Sequence, residues 1–276
     1  MSGSMSGLLE RLWPARGNLR SASDSVVIEL GVPYAGQRSQ PKQHLDLFVP
    51  PCPTDAPMVL FVHGGAWKTQ DRRYLQPWLG LYGNVGRALA RRGLVVAVAS
   101  YRQPDADESL HDLHHALATL RQQGEQRGAA TQVVLVGHSA GAHLAAWLAH
   151  AVTPRVAGVV GMGGYYDPDA FARAMGRGSQ RLRAIFGDGA RWSVPAQLGP
   201  DSPPIFAVVA QRDPEPIRQA HAELREAARR AGSRCESWVA PGIGHMGLVL
   251  SMGRSIDRVS DRIARFAHGC MGSRSS

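Results

Sequence analysis

Val133-Val134-Leu135-Val136-Gly137-His138-Ser139-Ala140-Gly141-Ala142-His143-Leu144 is the stretch on which the reading of this chain turns. A β-branched apolar run ends in G-x-S-x-G and passes at once into Ala, Leu and Trp at helical spacing. That pattern predicts strand, sharp turn and helix in succession. A serine on so tight a turn points its Oγ away from both elements. Gly137 and Gly141 leave out the side chains that would collide where strand and helix approach. The stretch therefore reads as a nucleophile elbow, in preference to a glycine-rich turn with Ser139 as a helix N-cap.

On either side of the elbow, strand and helix patterns alternate. Two short strands, around 26–30 and 44–48, precede the continuous apolar run Pro57-Met58-Val59-Leu60-Phe61-Val62, the mark of a strand buried on both faces. That run leads into His63-Gly64-Gly65-Ala66-Trp67, where two glycines after a buried strand free backbone N–H groups to point into a cavity, as an oxyanion hole requires. A helix ends at Arg92-Gly93, residues 94–99 form a strand, and Ser109-Leu110-His111-Asp112 reads as a capping box opening the next helix. After the elbow, a strand over 155–162 ends in Gly163-Gly164-Tyr165-Tyr166-Asp167. The rhythm then breaks over residues 168–202, a segment long enough to cap a pocket. A buried strand at 204–210, a helix at 216–231, a short strand at 235–239 and a helix at 255–268 complete the chain. The class is α/β, with a mostly parallel sheet, helices on both faces and an antiparallel edge. The organisation expected is an N-terminal arm over 1–24, partly disordered and holding a short amphipathic piece at 8–13, one domain over 25–270, and a disordered tail over 271–276.

Bulk properties narrow the function classes. The 276 residues carry a formal charge of +9, yet lysine occurs only at Lys42 and Lys68 and the arginines are scattered. No basic stripe interleaved with aromatics is present, so solvated helix faces are expected and no nucleic-acid partner. Cys52, Cys235 and Cys270 lie far apart, which argues against a disulfide framework or zinc site. With no apolar run of membrane-spanning length, the expected location is cytoplasmic. His111, His114 and His115 share a helix, but no third ligand is evident nearby, so no metal is expected.

A serine hydroxyl needs a histidine base, and the histidine needs a carboxylate to fix its tautomer. Of the histidines after Ser139, His143 and His150 ride on the elbow helix, His221 lies mid-helix and His268 is in the tail. His245 alone sits in a glycine-flanked loop beyond a strand. Asp213, just past the strongest late strand, is the preferred acid, with Glu215 and Asp167 as competitors.

His63-Gly64-Gly65-Ala66-Trp67, Ser100-Tyr101-Arg102, Gly137-His138-Ser139-Ala140-Gly141, Asp213-Pro214 and Gly244-His245 together resemble the α/β-hydrolase-fold carboxylesterases of the H-G-G-x-W branch that includes the kynurenine-formamidase-like enzymes. The likeness covers residues from about 26 to 268. It implies ester or formamide hydrolysis without a cofactor, with Ser139, Asp213 and His245 as triad and an oxyanion hole from the N–H groups of Gly64, Gly65 and Ala140. One departure is Ala210-Gln211-Arg212 before Asp213, where members often carry His-Gly. Trp67, Tyr165 and Tyr166, with Met246 beside the base, are the expected substrate-binding residues, and Phe171, Met175, Phe186 or Trp192 the expected apolar contacts from the cap. Crowding by those rings implies short-acyl esters as substrates. The competing readings are an arylformamidase for an N-formyl aromatic amino acid such as N-formylkynurenine, and a catalytically silent relative that binds a ligand or partner protein. For the enzyme reading, the partners compatible with the sequence are a small-molecule ester or formamide substrate and a second copy of the chain, as a homo-oligomer.

Overall fold

The computed structural model describes residues 18–20, 26–36, 39–75, 81–152, 156–175, 179–187 and 189–271. The amphipathic piece at 8–13 and the tail at 272–276 lie outside the described residues. Nine described strands form one sheet: β1 (Asn18–Arg20), β2 (Val27–Pro33), β3 (His44–Val49), β4 (Met58–Val62), β5 (Val95–Ala99), β6 (Val133–His138), β7 (Gly158–Met162), β8 (Ile205–Ala210) and β9 (Cys235–Ala240). Their order is β1-β2-β3-β5-β4-β6-β7-β8-β9. The first three pair antiparallel, and the rest run parallel from β5 to β9. β1, contributed by the N-terminal arm, extends the antiparallel edge one strand further than the sequence suggested.

The continuous apolar runs behave as double-faced burial demands. Every residue of β4, β5, β6, β7 and β8 is buried, whereas β9, on the outer edge, is largely exposed. Helices cover both faces. The α1 helix (Leu81–Ala90) and α8 (Arg258–Gly269) pack their apolar stripes, among them Val85, Leu89, Val259 and Ile263, against one face. The opposite face is covered by α2 (Ala106–Glu125), α3 (Ala140–Ala151) and α6 (Glu215–Arg230), through Leu113, Leu117, Leu144 and Leu224. The sheet and helices match the α/β class read from the sequence.

The start of α2 differs from expectation. Asp105 is the N-cap, its carboxylate accepting the Glu108 N–H at 2.9 Å. Ser109 lies inside the helix, its hydroxyl donating to the carbonyls of Arg102 and Asp105. Asp105-x-x-Glu108 supplies the capping pattern one turn earlier than Ser109-x-x-Asp112 would, and its carboxylate carries the charge that a helix N-terminus favours.

Because β4, β6, β7, β8 and β9 are parallel, their carboxyl ends lie along one rim of the sheet. His63-Gly64, Ser139, Gly163, Asp213 and His245 all follow those ends, which is where open α/β sheets gather ligands. Over this rim runs the 168–202 segment, built from α4 (Pro168–Met175), α5 (Ser179–Phe186) and two single 3-10 turns at Gly189–Trp192 and Pro195–Gln197.

Candidate active site

The turn between β6 and α3 is as tight as its glycines imply. Ser139 has φ 57° and ψ −122°, a conformation that costs an L-residue of order 1–3 kcal/mol and persists only where surrounding structure enforces it. Its N–H donates to Met162 O at 2.8 Å, and its carbonyl accepts the Ala142 N–H at 3.0 Å. A Cβ on Gly137 would stand 2.2 Å from Gly141 O; one on Gly141 would stand 2.2 Å from Val62 O and 2.4 Å from His63 O. Strand β4, the elbow and α3 thus approach to backbone contact, and the serine is left half-exposed at the rim. No side-chain N-cap bond is made by Ser139, so the capping alternative does not describe this turn.

Across the rim, Asp213 and His245 meet. Nδ1 of His245 donates to Asp213 Oδ1 at 2.7 Å, with the imidazole 24% exposed and the carboxylate fully buried. The other carboxylate oxygen accepts the Ala210 N–H at 2.6 Å, and the Asp213 N–H returns to Ala210 O. Both carboxylate oxygens are therefore held by donors, and the tautomer that leaves His245 Nε2 as the basic nitrogen is fixed. Neither competing acid is placed for this task. Asp167 caps α4 through the Ala170 N–H and accepts a hydrogen bond from the Ser193 hydroxyl, each at 2.8 Å. Glu215 is exposed and paired with Arg218.

Two residues that the sequence reading left without a role close on the imidazole. A Cβ on Gly163, which has φ +56°, would lie 2.9 Å from His245 Nδ1, so β7 ends directly against the ring. The His138 ring lies 4.7 Å from that of His245, and its Nε2–H donates to the His245 carbonyl at 3.2 Å. His138 is fully buried, its pKa pushed down to about 3 by desolvation and by the neighbouring His245, so it stays neutral. The signal for both lay in position: one is the residue before the serine, the other a glycine just past a buried strand.

The loop after β4 brings its first glycine against the nucleophile: a Cβ on Gly64 would stand 3.2 Å from Ser139 Cβ and from His138 O. The Gly64 N–H, however, donates to the Tyr82 hydroxyl at 3.3 Å, and that hydroxyl donates to Gln70 Oε1 at 2.6 Å. Gly64 is thus the expected oxyanion donor that the structure does not leave free. Gly65 needs its φ of +113° and has no room for a side chain, since a Cβ would meet Thr69 O at 2.0 Å. His63 supports the loop from below. It is stacked on Tyr101 at 4.3 Å, its Nδ1–H donates to Gly64 O at 2.7 Å, and its carbonyl accepts the Tyr101 hydroxyl at 2.8 Å. Ser100 and Arg102 brace the same region. The Ser100 hydroxyl accepts the Arg72 N–H, and Arg102 makes a two-pronged bond to buried Asp112, 2.9 Å on each side. Burial alone would raise the Asp112 pKa, but hydrogen bonds from Arg102 and Gln43 hold its carboxyl below the usual carboxylate range.

The aromatic residues expected to contact substrate are placed less uniformly. Trp67 is only 3% exposed; its ring stands edge-on to Phe186 at 5.2 Å and His143 at 5.7 Å, with Phe171 at 5.8 Å and Tyr165 at 6.3 Å. Positive φ at Ala66 and Trp67 swings the indole beneath the cap, where it joins cap to body instead of lining an open wall. Tyr166, 2% exposed, turns inward, its hydroxyl 2.1 Å from where a Gly161 Cβ would stand. It fills the gap left by Gly161 and Gly164 and keeps only an edge on the cavity beside Tyr165. Tyr165 is half-buried against Phe171, with ring centroids 3.9 Å apart. A cavity of about 350 Å³ opens beside this pair, between α4 and α6, reaching Pro195, Pro216 and Ala220. Met246 packs on the core under α7 (Gly247–Leu250), a short helix the sequence reading missed. Phe186 and Trp192, expected as leaving-group contacts, are buried. Trp192 donates its indole N–H to Phe186 O, and its own carbonyl accepts His143 Nε2–H, each at 2.8 Å. Away from the rim, His111 and His115 face each other across one helical turn, Nε2 to Nε2 at 3.3 Å, and no cluster of three potential metal ligands occurs among the described residues.

Comparison with solved structures matches this fold to an inhibited esterase B from Lactobacillus rhamnosis, with a TM-score of 0.77 at 21% identity over 91% of this chain and 89% of that one. The chain has the α/β-hydrolase fold. A truncated carbohydrate esterase from gut microbiota superposes on this chain with a TM-score of 0.71 at 17% identity, covering 90% and 98% of the two chains. The BD-FAE family model matches residues 45–159, the span from β3 to the middle of β7 that contains the H-G-G-x-W loop and the elbow. Among curated relatives, a probable isoprenylcysteine alpha-carbonyl methylesterase of Oryza sativa subsp. japonica is 37% identical over 39% of this chain and 25% of its own length. A kynurenine formamidase of Salmo salar is 30% identical over 50% of this chain and 46% of its own length. The chain thus spans a quarter to about half of these two relatives, and its likeness to carboxylesterases of this fold is the one read from its motifs.

Proposed function

We propose that this protein is a serine hydrolase that cleaves short-acyl carboxylic esters through an acyl-enzyme on Ser139. The observation that carries this reading is the 2.7 Å bond between His245 Nδ1 and buried Asp213, formed on the same rim as a serine in strained elbow geometry. In the reaction, Ser139 Oγ attacks the ester carbonyl carbon while His245 Nε2 takes its proton. The Gly65 and Ala140 N–H groups stabilise the oxyanion. Collapse of the tetrahedral intermediate expels the alkoxide, which leaves as the alcohol with the proton from His245. Water then attacks the acyl-enzyme with His245 again as base, releasing the acid and restoring Ser139. Asp213 orients the imidazole and steadies the imidazolium.

Close approach of the Gly64 backbone to Ser139 Cβ, and of the Gly163 backbone to His245, leaves little room around the proposed pair, which supports acyl groups from formyl to about butyryl; each mismatched methylene is worth about 1–3 kcal/mol. The cavity beside Tyr165 and Phe171 offers those two rings to an aromatic leaving group and Asp167, Arg173, Gln219 and Glu223 to its polar substituents. The same feature favours a second reading, an arylformamidase, and kynurenine formamidases are among the relatives. The test is labelling by a fluorophosphonate probe, followed by initial rates on nitrophenyl esters from acetate to palmitate with N-formylkynurenine alongside. Labelling at Ser139 with a maximum at short acyl chains is expected. No labelling would favour a silent ligand-binding relative, and a maximum at long chains an open lipase-like groove.

Among the described residues no helix is long and apolar enough to cross a membrane, and none of Cys52, Cys235 and Cys270 forms a disulfide. These features support a reducing, cytoplasmic setting for the proposed enzyme.

A further inference from the structure

The residue before the nucleophile is a histidine at a position where an apolar side chain would fold at least as well. His138 is 1% exposed and its Nδ1 has no hydrogen-bond partner, so a buried acceptor is left unsatisfied inside the sheet rim. Leaving a polar atom orphaned in the interior destabilises a fold, and replacing it by an apolar group of similar shape is neutral or favourable. The polar character of His138 therefore needs an explanation outside packing. Its one bond supplies it: Nε2–H donates to the carbonyl of His245 at 3.2 Å. That carbonyl otherwise accepts only the Leu248 N–H, at 3.3 Å, from the turn into α7.

The ring is also placed to act on the imidazole itself. His138 lies 4.7 Å from the His245 ring at 35°, while on the β7 side the Gly163 backbone approaches His245 Nδ1 closely enough that a Cβ would stand at 2.9 Å. A Cβ on Gly64 would be 3.4 Å from His138 Nδ1, so the same side chain separates the oxyanion loop from the base. Elsewhere the 241–247 loop is tied by Gln211 Oε1 to the Gly242 N–H and by Ile243 O to the Arg212 N–H, both one turn before the base. Neither tie fixes the backbone of residue 245.

We infer that His138 is a positioning residue for His245: by bonding the carbonyl of the base and packing against its ring, it holds Nε2 in line with Ser139. This rests on reading Ser139, His245 and Asp213 as a hydrolase triad. Displacement of a catalytic group by about 1 Å costs on the order of a hundredfold in rate. In His138→Leu the bond is gone and the orphaned nitrogen with it, so activity and stability should move in different directions. His138→Gln keeps an amide N–H able to reach the carbonyl.

Full-length wild type, His138→Leu and His138→Gln are compared by steady-state kinetics on a short-acyl nitrophenyl ester, by thermal unfolding, and by proton NMR of the low-field His245 Nδ1–H bonded to Asp213. Expected for His138→Leu is a kcat lower by about 10- to 100-fold with KM within about twofold, a melting temperature no lower than wild type, and a shifted or exchange-broadened low-field proton. His138→Gln should recover most of the lost kcat. A kcat for His138→Leu within twofold of wild type overturns the assignment. So does a joint fall of kcat and melting temperature that His138→Gln fails to reverse, since that marks a purely structural residue. If the wild type hydrolyses no ester, the triad reading fails by itself; the low-field proton then decides on positioning, and an identical resonance in wild type and His138→Leu overturns it.

Discussion

Gly141→Ala measures how far the chemistry depends on backbone contact beneath the elbow. The added Cβ would sit 2.2 Å from Val62 O and 2.4 Å from His63 O. Both atoms belong to the backbone at the end of β4, in the middle of a sheet whose neighbours are fully buried, so neither can swing away as a side chain would. Restoring ordinary contact requires α3 to retreat by about 1 Å, the distance from that clash to a tolerable approach. Overpacking of this kind costs about 1–3 kcal/mol, and the upper end applies where backbone must yield. For a chain of this size about 3 kcal/mol lowers the melting temperature by roughly 6–12 °C. The same 1 Å carries Ser139 and the Ala140 N–H away from the base and the oxyanion loop, so kcat/KM should fall about a hundredfold. Thermal melts and initial rates on nitrophenyl acetate are the assay. Gly199→Ala is the control, because its Cβ would meet nothing within 4 Å and the backbone there has no positive φ. If Gly141→Ala melts and turns over like wild type while Gly199→Ala does the same, the backbone-contact argument is wrong.

Ser139→Ala should lower kcat by about four orders of magnitude or more with the circular dichroism unchanged, since only binding and oxyanion stabilisation remain; retained turnover rules out the serine mechanism. Asp213→Asn should cost on the order of 10⁴ in kcat, because the amide no longer holds His245 in the Nδ1–H tautomer, and a larger loss in Glu215→Gln would move the acid. Gly65→Ala keeps the N–H but drives a Cβ onto Thr69 O and strains the φ of +113°, so the donor is displaced and kcat should fall by up to about 10²–10³, the size of losing one oxyanion donor, with labelling by a fluorophosphonate slowed to match. Stability should fall steeply in mild acid. Burial pushes His63, His143 and His221 down to about 4 and His138 to about 3. Above about pH 6.5 both folded and unfolded histidines are neutral and contribute nothing; below it the unfolded chain takes up protons that the native state refuses, until the folded values are reached. Each site then removes on the order of 3 kcal/mol between pH 6.5 and 4. Guanidinium midpoints at pH 7.5, 6 and 5 check this, and a flat series contradicts it.

The elbow was legible because steric necessity writes itself locally: one strand, two glycines and one helix are all adjacent in the chain, and nothing distant decides their geometry. The same holds for His245 and Asp213, since loops at the carboxyl ends of neighbouring parallel strands have only one rim to reach. Legibility ended where a short-range pattern had two solutions. Asp105-x-x-Glu108 and Ser109-x-x-Asp112 both satisfy a capping box, and only the Ser109 hydroxyl bonds to the Arg102 and Asp105 carbonyls show which one opens α2. Asp167 could not be removed as an acid until its two oxygens were seen on the Ala170 N–H and Ser193 hydroxyl. β1 offers only Asn-Leu-Arg, too short for an alternation to register. Tyr82 takes up the Gly64 N–H from eighteen positions away, a contact no local spacing announces.

The aromatic residues fail for a different physical reason, one that bears on how this site is assembled. A ring near a catalytic serine lowers free energy equally well against substrate or against another ring, so composition cannot tell the two apart. In this fold the rings meet each other. Trp67 carries Phe171 from α4 and Phe186 from α5, while Trp192 is bonded to His143 of α3, and the Val194 N–H reaches Tyr166 O at 2.9 Å. The cap is thus fastened to the elbow helix and to β7 by its last third, and rests on Trp67 by its first two helices. The reacting groups take the opposite course. Ser139, Gly65 and Asp213 are set by main-chain contacts at strand ends, and His245 by Asp213 and His138 on the same rim, so a side-chain change in the cap moves them least. Substitutions in α4 or α5 should therefore alter which leaving groups are accepted, read as KM, while substitutions at the strand ends alter kcat. Phe171→Ala is the sharpest case, because it opens the floor of the cavity beside Tyr165 without touching any strand end. Its KM for an aromatic ester should rise by about tenfold, the value of roughly 1.4 kcal/mol of lost ring contact, with kcat for nitrophenyl acetate nearly unchanged. An equal fall in kcat for both substrates would mean that the cap positions the catalytic groups and that the separation drawn from the hydrogen bonds does not hold.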